Sequence, residues 1–345
     1  MTRLALLLHP SANRVYAESS IVLTEAELTI LSGAVMAGRL HDVRVDALGG
    51  VPAITFVVDS LTERDLRHLA NVSTAYALFA QEGELLRPLT LHRLDRYDDD
   101  LLTVLKYAGK TNETFTKLLL NVTVLASAAG SRMLTDRLRV LDPMCGRGTT
   151  LNQAVMYGWD AAGVDLDRKD VDAYAAFLRT WLKRKRIKHT VDAHPVRHAG
   201  HDPAHRVEAL FASDKAAFQA GDRQRVDVVH ADTVRAPEFF KPGSMDVVVT
   251  DAPYGVQHGS RSGAAGLSRR PLDLLGEAVP GWAGLLAPGG TLGIAWNTHV
   301  AARDDVSAVL ADAGLDVVDE AGFGALRHRV DQAIDRDIVV ARRPD

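Results

Sequence analysis

Three acidic residues and two glycines in the second half of the chain have the spacing of a ligand site. In LDPMCGRGTT, Asp142 closes an apolar run, Gly146 and Gly148 follow, and a helix-compatible stretch comes next. Ligands on open parallel sheets bind at the carboxyl ends of strands, where the chain order switches. Glycines there let the backbone approach a ligand, and a helix N-terminus offers free N–H groups. A dinucleotide fingerprint would need its third glycine where Leu151 stands, and Asp142 would repel a pyrophosphate. An NAD-dependent oxidoreductase is therefore disfavoured. A carboxylate at that point suits a cationic ligand such as S-adenosylmethionine (SAM). GVDLD places Asp165 at a second strand end, where it can accept both ribose hydroxyls. VVHAD places Asp232 at a third, where it can take the adenine amino group. A lone Asp at a strand end is common turn chemistry; three in register with the glycine turn point to SAM.

Downstream, MDVVVTDAPYG runs a buried-type strand into Asp251, Ala252, Pro253 and Tyr254. The tetrad resembles the (Asp/Asn)-Pro-Pro-Tyr signature of amino methyltransferases. An exocyclic base amine is a poor nucleophile because its lone pair is delocalised into the ring. The Asp251 carboxylate and the Ala252 carbonyl can accept its two N–H bonds and so aim the lone pair at a methyl donor. Pro253 stiffens the loop and Tyr254 offers a face for an extruded base.

Taken together, DPMCGRGTT, GVDLD and TDAPYG resemble the THUMP-associated family of SAM-dependent RNA methylases, most closely its tRNA guanosine-N2 methyltransferase branch. LKYAGKTNETFTKLLLN, which includes Thr111, occupies the place of that family's segment lining the methionine end of SAM. LRHRVDQAIDRDIVVA is similar to its last strands, so the likeness covers residues 105–343. The resemblance implies a class I, Rossmann-like α/β methyltransferase. It implies SAM contacts at Asp142, Gly146, Gly148, Asp165, Asp232 and Thr111, and catalytic contacts at Asp251, Ala252, Pro253 and Tyr254. The implied substrate is an exocyclic amine in structured RNA, N2 of a tRNA guanosine foremost. There are two departures: Ala252 replaces the usual proline, and the first 100 residues carry no THUMP pattern. A DNA adenine or cytosine amino methyltransferase is the nearest alternative, although no large target-recognition region is evident. A non-catalytic RNA-binding relative is another.

Basic charge is local. Residues 179–206 hold eight Lys and Arg against Asp192 and Asp202, densest in WLKRKRIKH. Lys183, Arg184, Arg186 and Lys188 are the candidate phosphate contacts, the bland reading being a solvated helix face. Arg261, Arg269 and Arg270 in the Gly/Ser loop after the tetrad are a second set, placed to close on a target base. His194, His198, His201 and His205 have metal-like spacing, but Pro195 and Pro203 interrupt the run, and loop histidines without metal are expected. Cys145 reads as a small packing residue.

The elements that must position these groups fall into two units: an N-terminal α/β domain over 1–100, with a possible RNA-binding role, and a methyltransferase domain over 101–345. In the first, a strand is predicted at Arg3–Leu8 and a helix capped by Thr24 with Glu27 three residues on. Strands are predicted in VRVDAL and AITFVVD, and a helix capped by Thr62 runs through TERDLRHLANVSTAYALFA. RYDDDLLTVLKYAG is read as a turn and short strand, NETFTKLLLNVTVLASAA as a helix. From Arg139, strand–helix alternation predicts a parallel sheet covered on both faces, closed by an antiparallel C-terminal strand pair. The chain has 345 residues, a net charge of −4 and one cysteine, which argues against a polycation, a disulfide framework and a multi-cysteine metal site. The apolar run Leu4–Leu8 is too short for a secretory signal or a membrane span, so a cytoplasmic protein is expected. The need for an activating subunit is left open by the sequence.

Overall fold

The computed structural model describes residues 1–10, 14–107, 109–197, 203–252 and 271–345. The chain begins with a five-stranded antiparallel sheet. Strand β1 (Thr2–Leu8) leads to helix α1 (Arg14–Ala34), the hairpin β2 (Leu40–Leu48) and β3 (Val51–Val58), helix α2 (Glu63–Leu69), and the hairpin β4 (Ala75–Glu82) and β5 (Leu85–Leu89). The order across the sheet is β2-β3-β1-β4-β5.

Two expectations are corrected here. Thr24 is internal to α1 rather than its cap; its hydroxyl donates to Ser20 O at 2.6 Å and meets Thr74 Oγ1 at 2.7 Å. Glu27 is buried and accepts from Ser73 N at 2.9 Å and Asn121 Nδ2 at 2.7 Å. The Thr-x-x-Glu spacing thus serves a tertiary polar network. Thr62 does cap α2, in a capping box with Asp65. That helix stops at Leu69, however, and the Ala-rich segment after it is β4, pairing with β1. There the sheet contacts outweigh local helix propensity.

Residues 100–103 form a short helix, α3 (Asp100–Thr103), where a strand is expected. The helix α4 (Glu113–Leu125) follows, with the Asn112 side chain accepting from Thr114 N and Phe115 N. Ten of its thirteen residues are buried, because it is shared. One side joins Leu118 and Val122 to a hydrophobic core continuous with Leu4, Leu6 and Phe56 of the first sheet. Another lies so close to the second sheet that a Cβ on Gly293 would stand 1.9 Å from Thr123 Oγ1.

The second sheet holds β6 (Arg139–Asp142), β7 (Asp160–Asp165), β8 (Lys188–Val196), β9 (Ala204–Ala212), β10 (Gln224–His230), β11 (Met245–Asp251), β12 (Leu286–Asn297), β13 (Asp316–Val317), β14 (His328–Arg329) and β15 (Asp335–Arg342). Its order is β13-β15-β12-β11-β6-β7-β10-β9-β8, with β14 beside β15. The five strands β12, β11, β6, β7 and β10 are parallel. β15 runs antiparallel to β12, as the C-terminal pattern predicts. Helices α5 (Thr149–Met156), α6 (Arg168–Arg184), α7 (Lys215–Ala220), α8 (Ala236–Phe239), α9 (Pro271–Leu285) and α10 (Arg303–Asp312) connect the strands. Side chains alternate across the sheet. Val140, Val247 and Val249 join the core of α4, α5 and α6, while Leu141 and Val248 join that of α9 and α10, centred on Trp282. This is the three-layer, Rossmann-like arrangement of class I methyltransferases, with the extra antiparallel sheet at the N-terminus.

The β8–β9 hairpin is a further correction, since the sequence reads there as a basic loop. His194 and His205 lie in its two strands, against Arg206 and Pro195 respectively. His198 and His201 fall outside the described residues.

Candidate functional site

The glycine turn sits where the strand order reverses, between β6 and its neighbours β7 and β11. Asp142 ends β6 opposite Gly163 of β7. Cys145 N donates to Val164 O at 3.0 Å and Gly148 N to Cys145 O at 2.8 Å, so the turn is pinned to β7. Gly148 caps α5 in the left-handed region (φ 78°), and a Cβ there would stand 2.4 Å from the Tyr174 ring. Gly146 is also left-handed (φ 49°), but among the described residues beyond its chain neighbours no atom lies within 4 Å of where its Cβ would be, so its backbone is open to a ligand.

Asp142 is buried, and its Oδ1 accepts from Met144 N at 3.1 Å. Burial pushes its carboxyl up from 3.8 to about 7, against hydrogen bonds that pull the other way, and the Asp165 charge adds to the rise. Asp165 is raised for the same first reason. Its two oxygens take Gly146 N at 2.7 Å and Asp167 N at 2.8 Å. A carboxylate has about four acceptor positions, so holding the turn leaves capacity for hydroxyl donors.

A cavity of about 280 Å³ opens at this edge. Of the residues expected at the cofactor, Asp142, Gly146 and Thr111 line it, together with Asp251. Gly148, Asp165 and Asp232 stand outside its lining; the Asp232 side chain accepts from Val234 N at 3.1 Å and caps the turn after β10. Cys145 lines the cavity with a buried thiol, and burial raises its pKa well above the ordinary value, which keeps it neutral and fits a packing role.

One wall of the site goes beyond the sequence motifs. Arg147, between the two glycines, places its guanidinium 4.8 Å from the Tyr107 ring centre and donates from Nε to Asp170 at 2.8 Å. Tyr107 in turn meets Thr149 Oγ1 at 3.1 Å. The one local signal is an arginine inside a glycine turn; Tyr107 and Asp170 come from distant segments.

Asp251 ends β11 and reaches the cavity from the other side of β6. Its Oδ2 accepts from Thr111 Oγ1 at 2.8 Å and lies 3.4 Å from the Arg336 guanidinium of β15. Thr111, expected at the cofactor, is thus also a partner of Asp251, and Arg336 is a neighbour that no sequence motif marks. Ala252 is buried and its N–H donates to Ala295 O at 2.8 Å, which ties the start of the tetrad to β12. Pro253, Tyr254, Arg261, Arg269 and Arg270 fall outside the described residues. Near Arg336, burial lowers His328 to about 4, so its ring is neutral at physiological pH.

In the basic segment Lys183, Arg184, Arg186 and Lys188 are exposed, whereas Lys185 is paired with Asp98 and Asp100. Lys183 and Arg184 end α6, Arg186 lies in the turn after it and Lys188 opens β8, so the four cluster at and beyond the far end of that helix. That 17-residue helix spans about 25 Å and runs away from the strand ends that carry the site. A substrate touching both must be long. Among the described residues no group of three or more His, Cys, Asp or Glu is arranged to hold a metal ion.

Comparison with known proteins adds three findings. Residues 125–289 match the family model described as UPF0020, an RMKL-like methyltransferase domain. No curated protein matches the sequence. Solved structures with a similar fold include TrmN from Thermus thermophilus, at 15% identity over 99% of this chain and 100% of that chain, TM-score 0.44. A TehB-like SAM-dependent methyltransferase from Corynebacterium glutamicum aligns at 15% identity over 62% of this chain and 86% of that chain, TM-score 0.35. A geranyl diphosphate C-methyltransferase from Streptomyces coelicolor, in complex with S-adenosyl-L-homocysteine, aligns at 14% identity over 72% and 94%, TM-score 0.36. The residues present fit SAM: Asp142 is a buried carboxylate suited to an ammonium, and Gly146 offers bare backbone beside it. With the strand order and the match over 125–289, this makes the chain a methyltransferase of the SAM-dependent class.

Proposed function

We propose that the protein methylates an exocyclic amine of a base in structured RNA, N2 of a guanosine in tRNA being the preferred target. One observation carries the reading: Asp142 and Asp251, from β6 and β11, line a single cavity at the switch point of the sheet. The first carboxylate suits a cationic cofactor and the second an N–H donor. When bound, SAM supplies an electrophilic methyl group on a sulfonium.

The chain's own residues do the rest. Asp142 binds the ammonium end, and the Gly146–Gly148 turn lets backbone lie against the cofactor. Asp251 accepts an N–H of the target amine and the Ala252 carbonyl accepts the other. Both bonds favour a pyramidal nitrogen and direct its lone pair. Pro253 and Tyr254, outside the described residues, are assigned the stacking of the base. The surplus proton leaves after transfer, to Asp251 or to water, so no strong base is needed. RNA as substrate is supported by the resemblance of the three motifs and by the exposed basic cluster where α6 passes into β8. Residues 1–100 are assigned an accessory role in holding the RNA, and 101–345 the catalytic one.

Incubation with methyl-labelled SAM and tRNA, rRNA or DNA, followed by mass spectrometry of the nucleosides, tests the reading. N2-methylguanosine in tRNA is expected. Label appearing only in DNA overturns the RNA assignment, and SAM binding without transfer to any nucleic acid overturns the catalytic one.

A further inference from the structure

Arg336 is buried to 6% side-chain exposure, beside an Asp251 side chain exposed to 13%. Taking a guanidinium out of water costs several kcal/mol unless it is paired. Here it is met by Asp251 Oδ2 at 3.4 Å and by the face of Phe115, whose ring centre lies 4.1 Å from the guanidinium carbon. The same carboxylate oxygen accepts from Thr111 Oγ1 at 2.8 Å. A strand end, the segment before α4 and the last strand of the sheet therefore converge on one oxygen.

We infer that Arg336 is a positioning residue for methyl transfer, holding Asp251 as an oriented carboxylate that accepts an N–H of the target amine. The inference rests on the function proposed above and adds a residue to it. An arginine has no acceptor and does not deprotonate in proteins, so Arg336 cannot relay a proton. What it supplies is a fixed positive charge behind Oδ2, which helps to hold the carboxylate in one orientation. At 3.4 Å the contact is longer than a charge-assisted hydrogen bond; direction comes from Thr111 and from the stack that immobilises the guanidinium.

The test compares wild type, Arg336→Gln and Arg336→Lys. S-adenosylhomocysteine affinity is read by calorimetry, and kcat and KM for tRNA by methyl incorporation. Cofactor affinity and KM should stay within about threefold of wild type. Misplacing a reacting group by about 1 Å costs about 100-fold, so kcat should fall by that order in Arg336→Gln. Arg336→Lys should recover part of it, because charge returns without the planar fork. Wild-type kcat in Arg336→Gln, or a loss confined to KM or cofactor affinity, overturns the inference. A second arm needs no RNA: denaturation midpoints of Asp251→Asn, Arg336→Gln and the double variant. The double should lie closer to wild type than the two single losses added together; strict additivity shows the pair is uncoupled and also overturns it. A wild type that methylates no RNA sinks the functional reading alone, and the stability cycle still decides the pairing.

Discussion

Replacing Asp142 with asparagine should make the protein more stable and less able to hold its cofactor. Burial carries this carboxyl from 3.8 to about 7. The folded chain thus binds the Asp142 proton more tightly than the unfolded chain does. Stability from this group is complete below pH 4 and is lost as pH rises through about 7. At 1.36 kcal/mol per unit, keeping Asp142 ionised in the folded state costs about 4 kcal/mol above neutral pH. Asparagine carries no charge at any pH, and its side-chain oxygen can still accept from Met144 N. Urea unfolding at pH 5, 6, 7 and 8 should show Asp142→Asn gaining on wild type with each step, up to about 4 kcal/mol at pH 8. Calorimetry with S-adenosylhomocysteine should show the converse. The ionised fraction of Asp142 rises roughly tenfold between pH 6 and 8, and wild-type affinity should rise with it. The variant's affinity should be low and flat. Equal stability of the two proteins at pH 8, or the same pH dependence of binding in the variant, would refute the reasoning.

Other perturbations separate the parts of the site. Asp251→Ala should keep S-adenosylhomocysteine affinity but lose at least about 100-fold in methyl transfer, checked by single-turnover incorporation. Gly148→Ala forces a Cβ to 2.4 Å from the Tyr174 ring at φ 78°. It should lower stability by about 2–4 kcal/mol in denaturant titrations. Changing Lys183, Arg184, Arg186 and Lys188 to alanine should leave cofactor binding intact. It should reduce the slope of log K against log salt for RNA by about 0.7–0.9 for each phosphate that is no longer neutralised; an unchanged slope would remove this surface from the RNA path.

The parallel part of the second sheet is legible in the sequence because its strands are buried on both faces. QRVDVVH and MDVVVTD are largely apolar runs with no competing helical period, and each ends beside an acid at the site's edge of the sheet. The β8–β9 hairpin is not legible. KHTVDAHPV, at the edge of the sheet, is mostly exposed and carries histidines and a proline, while AHRVEALFA beside it sets Arg206 and Glu208 between its buried positions. Thr24 and Glu27 mislead for the opposite reason: their spacing fits a local cap, but their partners Thr74, Ser73 and Asn121 are brought by tertiary packing. Arg336 is the sharpest case. Nothing beside it in the sequence distinguishes it from Arg327 or Arg329, and only the antiparallel return of β15 sets it against Asp251.

The single thiol of Cys145 gives the native protein a built-in reporter. It lies buried under the glycine turn, its backbone N–H held by Val164 O. Because it also lines the cavity, a disulfide reagent reaches it through that opening or when the turn lifts away from β7. The labelling rate of the unmodified protein then reads how open the cavity is beside the glycine turn, needing no engineered cysteine. Slowing of that labelling by S-adenosylhomocysteine would report a ligand seated against the Cys145 wall of the cavity.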